Sequence, residues 1–147
     1  MKWLDLPPVW LAVFAAVGWA QARYLPLVSL GIWGDWLGAG LVLAGLGLMG
    51  AAALEMRRHR TTIIPHQMPV AMVSSGIFGL SRNPIYLGDA LILAGLGLRW
   101  DSPFAILCVP VFMWLVTHRF IRGEEARLRE AFGEAFDRYA ARVRRWI

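Results

Sequence analysis

The chain has 147 residues, enough for one domain, and 58% of them are hydrophobic against 17% charged, a more apolar balance than an ordinary soluble domain carries. The formal net charge is +5, but the arginines flank apolar runs, which points to a membrane surface rather than to nucleic acid. A single cysteine, Cys108, excludes a disulfide within the chain.

Four apolar stretches approach the ~20 residues that a spanning helix needs. The first runs from about Pro8 to Leu30, with Pro7 and Pro8 at its start, where a missing N–H costs little. No A-x-A-like site ends it, so it reads as a retained span, weakened at its far end by Gln21, Arg23 and Pro26. The second, Trp36 to Glu55, carries no charge until Glu55. The third, Ile85 to Leu98, is short and contains Asp89. The fourth, Pro103 to Ile121, has Pro110 inside it as an expected kink. Arg99 to Pro103 is so short a link that the last two stretches form an antiparallel hairpin.

The reading is therefore an all-α, single-domain polytopic protein. Residues 1–56 hold two spans, 57–84 a connecting loop, 85–121 the hairpin and 122–147 an amphipathic tail helix. In the tail, Leu128, Phe132, Phe136, Tyr139 and Val143 repeat at helical spacing. With four spans, one side collects every Lys and Arg except Arg23 and Arg99, so the positive-inside rule places both termini in the cytoplasm. Trp33, Trp36 and Trp100 fall at the opposite interface.

Several motifs have bland readings. Gly45-Leu46-Gly47-Leu48-Met49-Gly50 matches G-x-G-x-x-G, but it lies within an apolar span without the preceding strand that a dinucleotide site needs. Small residues allowing close helix packing explain it better. His59, His66 and His118 show no metal-ligand spacing, so no metal is expected. Asp89 has two readings: an ionisable group inside a span is a functional candidate by default, yet it lies near the start of its helix, where a carboxylate is tolerated.

Two clusters carry more. Ser81 or Asn83 caps a helix begun by Pro84, and Arg82, Asn83 and Tyr86 gather at that helix mouth, a site for an anionic group. Phe78 and Tyr86 offer flat apolar faces. The hairpin returns Glu124 and Glu125 to the same side. Acids also suit a first helical turn, so capping of the tail remains an alternative. Two carboxylates facing an arginine fit a zwitterionic ligand; equally, a glutamate pins the arginine as an ion pair.

Arg82-Asn83-Pro84-Ile85-Tyr86-Leu87-Gly88 resembles the R-[HN]-P-x-Y-x-G motif of the isoprenylcysteine carboxyl methyltransferase and phospholipid methyltransferase group. Glu124-Glu125, then Leu128, Phe132-Gly133, Phe136 and Tyr139, resemble that group's E-E-x-x-L-x-x-x-F-G-x-x-[YF]-x-x-Y. Thr61 to Pro65 and Ser75-Gly76 resemble the loop before the first motif, so the likeness covers residues 61–147.

The resemblance implies a membrane-embedded methyltransferase using S-adenosyl-L-methionine and releasing S-adenosyl-L-homocysteine, in a bacterial inner membrane. Carried over by position, cofactor contacts come from Val70, Ala71, Met72 and Val73, largely by backbone, and from Phe78, Asn83, Pro84, Ile85, Tyr86 and Glu124. Arg82 and Glu125 support the reaction site. The arginine that engages a substrate carboxylate in the carboxyl methyltransferases is replaced by Phe120, flanked by Arg119 and Arg122, which become the candidates for that role. Those enzymes also usually have His at the position of Asn83 and Tyr at those of Phe78 and Phe136. The implied partners are membrane lipids and a hydrophobic or lipid acceptor. Carboxyl O-methylation of an isoprenylcysteine-like substrate, phospholipid amine N-methylation and thiol S-methylation all remain open. A non-catalytic membrane scaffold is the alternative of another class.

Overall fold

The structure is a computed structural model that describes residues 6–61 and 71–147. Among these residues every regular element is helical: α1 (Pro7–Tyr24), α2 (Gly31–Arg58), a 3₁₀ turn (Gly76–Gly79), α3 (Pro84–Arg99), α4 (Pro103–Val116), α5 (Arg122–Phe132) and α6 (Glu134–Arg142). One π turn, Thr117–Ile121, joins α4 to α5 without a break in the helical path. Val70 and His66 lie outside the described residues.

Local chemistry sets most of the boundaries. α1, α3 and α4 each carry proline in the first turn, where its fixed φ suits a helix and its missing N–H loses nothing. α1 stops at Tyr24 rather than continuing to Leu30, because Pro26 cannot donate to the helical ladder and restricts the residue before it. α4 continues through Pro110. Ser102 fixes the α3–α4 turn: its Oγ accepts from the Ala105 N–H at 3.1 Å and donates to Gln21 Oε1 at 2.6 Å. Asp101 Oδ1 accepts from the Leu30 N–H at 2.8 Å, tying the start of α2 to the same turn. Ser102 is fully buried. Ser102→Ala strips a cap and strands Gln21, so it is expected to cost about 1–2 kcal/mol. A thermal melt in detergent indistinguishable from wild type would overturn that assignment.

The longest interface joins α2 to α3, with α4 and α1 packed on α3's other side. Glycines set its closeness. A Cβ on Gly45 would lie 2.6 Å from the Gly88 carbonyl oxygen, and one on Gly38 would lie 2.5 Å from that of Gly95. Gly47 and Gly50 have nothing within 4 Å, so only the first glycine of the G-x-G-x-x-G string packs against a neighbour. On the other side Tyr86, Ala90 and Leu93 of α3 meet Phe112 and Val116 of α4, then Phe120 and Ile121, in one buried cluster.

The outer surface is apolar. Trp33, Trp36, Leu43, Leu46, Leu107 and Trp114 are exposed, a belt that would be unstable in water and suits lipid. Gly31–Arg58 and the continuous Pro103–Phe132 path are long and apolar enough to cross a bilayer. α1 and α3 have 18 and 16 residues, shorter than the ~20 usual for a span.

The tail departs from the sequence expectation of one helix. Gly133 takes φ +49°, a conformation that glycine reaches without steric cost, and divides the tail into α5 and α6. Past Arg142 the backbone extends (Val143 φ −114°, ψ 128°), turning Arg144, Arg145 and Trp146 back over the start of α3.

Candidate active site

A cavity of about 420 Å³ opens at the end of the bundle where α3 begins. α3 supplies Pro84, Ile85, Tyr86 and Asp89, the two residues before it supply Arg82 and Asn83, and α5 supplies Glu124, Glu125, Arg127 and Leu128. The loop before α3 adds Ala71, Met72, Val73 and Phe78; α6 adds Phe136 and Tyr139. Leu6, Pro7 and Pro8 at the start of α1 and Met49 and Met56 of α2 close the apolar side.

The π turn sets the phase of the α5 wall. Its wider turn shifts every following residue around the helix axis. Phe120 and Ile121 point inward, Tyr86 stacks on Phe120 with ring centroids 6.4 Å apart, and Glu124 reaches the Tyr86 hydroxyl. Tyr86 Oη donates to Glu124 Oε1 at 2.8 Å.

Glu125 is the hub of the polar wall. Its Oε1 lies 3.2 Å from Arg82 Nη2 and accepts from Arg145 Nε at 3.0 Å, while Oε2 accepts from Arg145 Nη2 at 2.6 Å. That bidentate hydrogen bond pushes the Arg145 guanidinium further up from its ordinary range. The same strand of backbone clasps the helix mouth. Arg144 O accepts the Arg82 N–H at 3.0 Å, and Arg145 O accepts from Asn83 Nδ2 at 3.0 Å and from Ser81 Oγ at 3.3 Å. Ser81 Oγ in turn accepts the Asn83 N–H at 3.1 Å. Trp146 packs on the buried cluster. Arg82 Nε is buried without a hydrogen-bond partner among the described residues.

Two further contacts hold the loop. Tyr139 Oη donates to Phe78 O at 2.7 Å, and burial pushes its hydroxyl up to about 12. Ser75 Oγ donates to Glu55 Oε1 at 2.5 Å and lies 2.9 Å from His59 Nε2, which pins the loop to the end of α2.

Ala71, Met72, Val73, Phe78, Arg82, Asn83, Pro84, Ile85, Tyr86, Glu124 and Glu125, all singled out from the sequence, stand in this one wall. Arg119 and Arg122 do not. Both are exposed, because Phe120 and Ile121 take the inward positions, and the Arg119 guanidinium lies over the Trp10 ring at 5.5 Å. Arg145 escaped the sequence reading; the basic-aromatic run Arg144-Arg145-Trp146 beyond the amphipathic stripe was its only signal. The α1 and α2 contributions left no sequence signal, since only helix packing brings Pro7, Pro8 and Met49 to the mouth.

The phospholipid methyltransferase family profile matches residues 33–135, more than half of the chain. The chain belongs to the phospholipid methyltransferase family. The family region runs from the start of α2 to the start of α6, so it contains both walls that carry Arg82 and Glu124 and extends beyond the motif likeness toward the N-terminus. As a phospholipid methyltransferase family member it is a membrane methyltransferase, and enzymes of this family generally use S-adenosylmethionine. No curated protein and no solved structure matches the chain.

Proposed function

We propose that the chain moves a methyl group from S-adenosylmethionine to an apolar or lipid-like acceptor drawn from the bilayer. The observation that carries this is the meeting of the Arg82–Tyr86 helix mouth with Glu124 and Glu125 in one cavity of about 420 Å³. That volume falls within the usual range for small-ligand sites.

The wall suits such a cofactor. Arg82 Nε has an N–H free to meet an anionic group, the counterpart of the cofactor's carboxylate. The Glu124 carboxylate, an acceptor held by Tyr86, lines the cavity where a ligand's hydroxyl or ammonium donors would meet it. Phe78, Met72 and Val73 give apolar faces. When bound, the cofactor supplies a sulfonium methyl that an acceptor nucleophile can displace.

The protein's own contribution is position and exclusion of water. The Arg145 clasp holds Arg82 and Asn83, Tyr86 fixes one oxygen of Glu124, and Tyr139 holds the Phe78 backbone. Asn83 orients by hydrogen bonds and exchanges no proton near neutral pH. The apolar flank at Pro7, Pro8 and Met49 is the acceptor's side, which gives a reason for building this chemistry into a membrane. In this reading α1 to α4 all cross the membrane, the cavity faces the cytoplasm, and Arg119 and Arg122 lie at the headgroup level.

Titration calorimetry of detergent-purified protein with S-adenosylmethionine tests the reading. Wild type is expected to bind, and Arg82→Ala and Glu124→Ala are expected to lose binding by at least about tenfold each, since each removes a charge-assisted contact. Helical circular dichroism should be unchanged. Normal binding by both variants would sink the site. Transfer of labelled methyl into a lipid extract then separates carboxyl, amine and thiol acceptors.

A further inference from the structure

Asp89 has no place in the cofactor wall described above, yet its setting is unusual. It is only 2% exposed, and it lines the cavity. Among the described residues it makes no hydrogen bond and no ion pair, whereas the wall's other two acids, Glu124 and Glu125, are engaged. Arg82 is committed to Glu125, and Arg127 forms no ion pair with Asp89. Asp89 is also the sixth residue of α3, past the first turn where a helix terminus steadies a carboxylate. Met49 lies against Gly88, one residue before it, and one turn back on α3 stand Ile85 and Tyr86, whose hydroxyl is already given to Glu124.

A buried carboxylate without a partner is costly, and it persists where something supplies the partner. Here the open space is the cavity. The structure assigns to Asp89 the acceptor's headgroup, a proposal that rests on the methyltransferase reading and adds a specificity-determining residue to it. The carboxylate takes a hydrogen-bond-donating, cationic group, an ammonium on an apolar body. It disfavours an acceptor whose nucleophile is itself a carboxylate, because two like charges would then share one dry pocket. The balance of the step is simple. The bound primary ammonium gives one proton to Asp89. Its nitrogen lone pair forms the new N–C bond as the C–S bond breaks, and the bonding electrons leave on sulfur. The products are a secondary ammonium and a neutral thioether.

The test uses the full chain in detergent with three variants, Asp89→Asn, Asp89→Leu and Gly47→Ala, the last as a remote control. Native mass spectrometry with added phosphatidylethanolamine reports lipid retention without any cofactor present. Wild type and the control should retain the lipid, and both Asp89 variants should lose at least about tenfold in retention. Asp89→Leu should melt at or above the wild-type temperature, because it removes an uncompensated buried charge; this separates lost recognition from lost folding. Cofactor binding by calorimetry should be unchanged in Asp89→Asn, while methyl transfer to phosphatidylethanolamine falls and none to N-acetyl-S-farnesylcysteine appears. Retention of the lipid by both Asp89 variants would overturn the proposal, as would a wild type that methylates the farnesylcysteine acid and ignores the amine lipid. Absence of cofactor binding in wild type would instead remove the methyltransferase reading, with lipid retention still reporting on Asp89.

Discussion

Glu125→Ala is expected to lower stability by about 2–3 kcal/mol and to abolish methyl transfer. Removing one partner of a buried pair usually costs ~3–5 kcal/mol, because the other charge is left uncompensated. Here two guanidiniums lose their partner together, Arg82 at 3.2 Å and Arg145 at 2.6 Å. The Arg82 and Glu125 side chains are 14% and 13% exposed, but that of Arg145 is 33% exposed, so solvent recovers part of the loss and the value falls below the fully buried range. Activity should suffer more than stability. Without Glu125 the Arg145 side chain no longer anchors the backbone that accepts from Asn83 and Ser81. Arg145→Ala should cost less than Glu125→Ala, since the Arg82–Glu125 pair survives it. A double-mutant cycle on Glu125 and Arg145, read by thermal unfolding in detergent, should give a coupling of about 1 kcal/mol or more. Additive effects would mean that the clasp does not act as a unit.

Gly45→Val is expected to cost about 3 kcal/mol or more and to reduce the folded yield sharply. The added Cβ would meet the Gly88 carbonyl oxygen at 2.6 Å, and that atom is backbone, so α2 and α3 must separate. Overpacking that moves backbone typically costs 1–3 kcal/mol and occasionally more, and this contact lies in the longest interface of the protein. Gly47→Val on the same helix is the matched control: nothing lies within 4 Å of its Cβ, and its effect should stay within about 0.5 kcal/mol. The damage at Gly45 should also reach the site, because Gly88 precedes Asp89 and touches Met49, both in the cavity wall. Size-exclusion profiles and melting curves for the pair decide the matter. Equal behaviour of the two variants would show that the close approach is not what holds α2 to α3.

Much of this protein is written locally. Apolar runs of helical length, prolines at the starts of α1, α3 and α4, and a glycine inside the tail set the elements, because each acts through its own backbone or its nearest neighbours. The all-helical architecture, the hairpin, the amphipathic stripe and the two motif clusters were legible for that reason. The meeting of the two motif clusters was legible as well, since a short hairpin returns Glu124 and Glu125 to the side of Arg82 whatever its packing. The tail was only half legible. Its periodicity runs through Gly133, and only the backbone at φ +49° shows that the helix divides there.

What the sequence could not decide depends on helix rotation and on contacts between distant residues. Arg119 and Arg122 sit beside the motif and carry the right charge, yet the π turn rotates Phe120 and Ile121 inward and leaves both arginines outside. Arg145 stands 20 residues from Glu125 and meets it only because the backbone beyond α6 folds back over α3. Asp89 had two readings from its position alone. Packing decides that it is 2% exposed, lines the cavity and is unpartnered among the described residues, a state that spacing along one chain cannot specify.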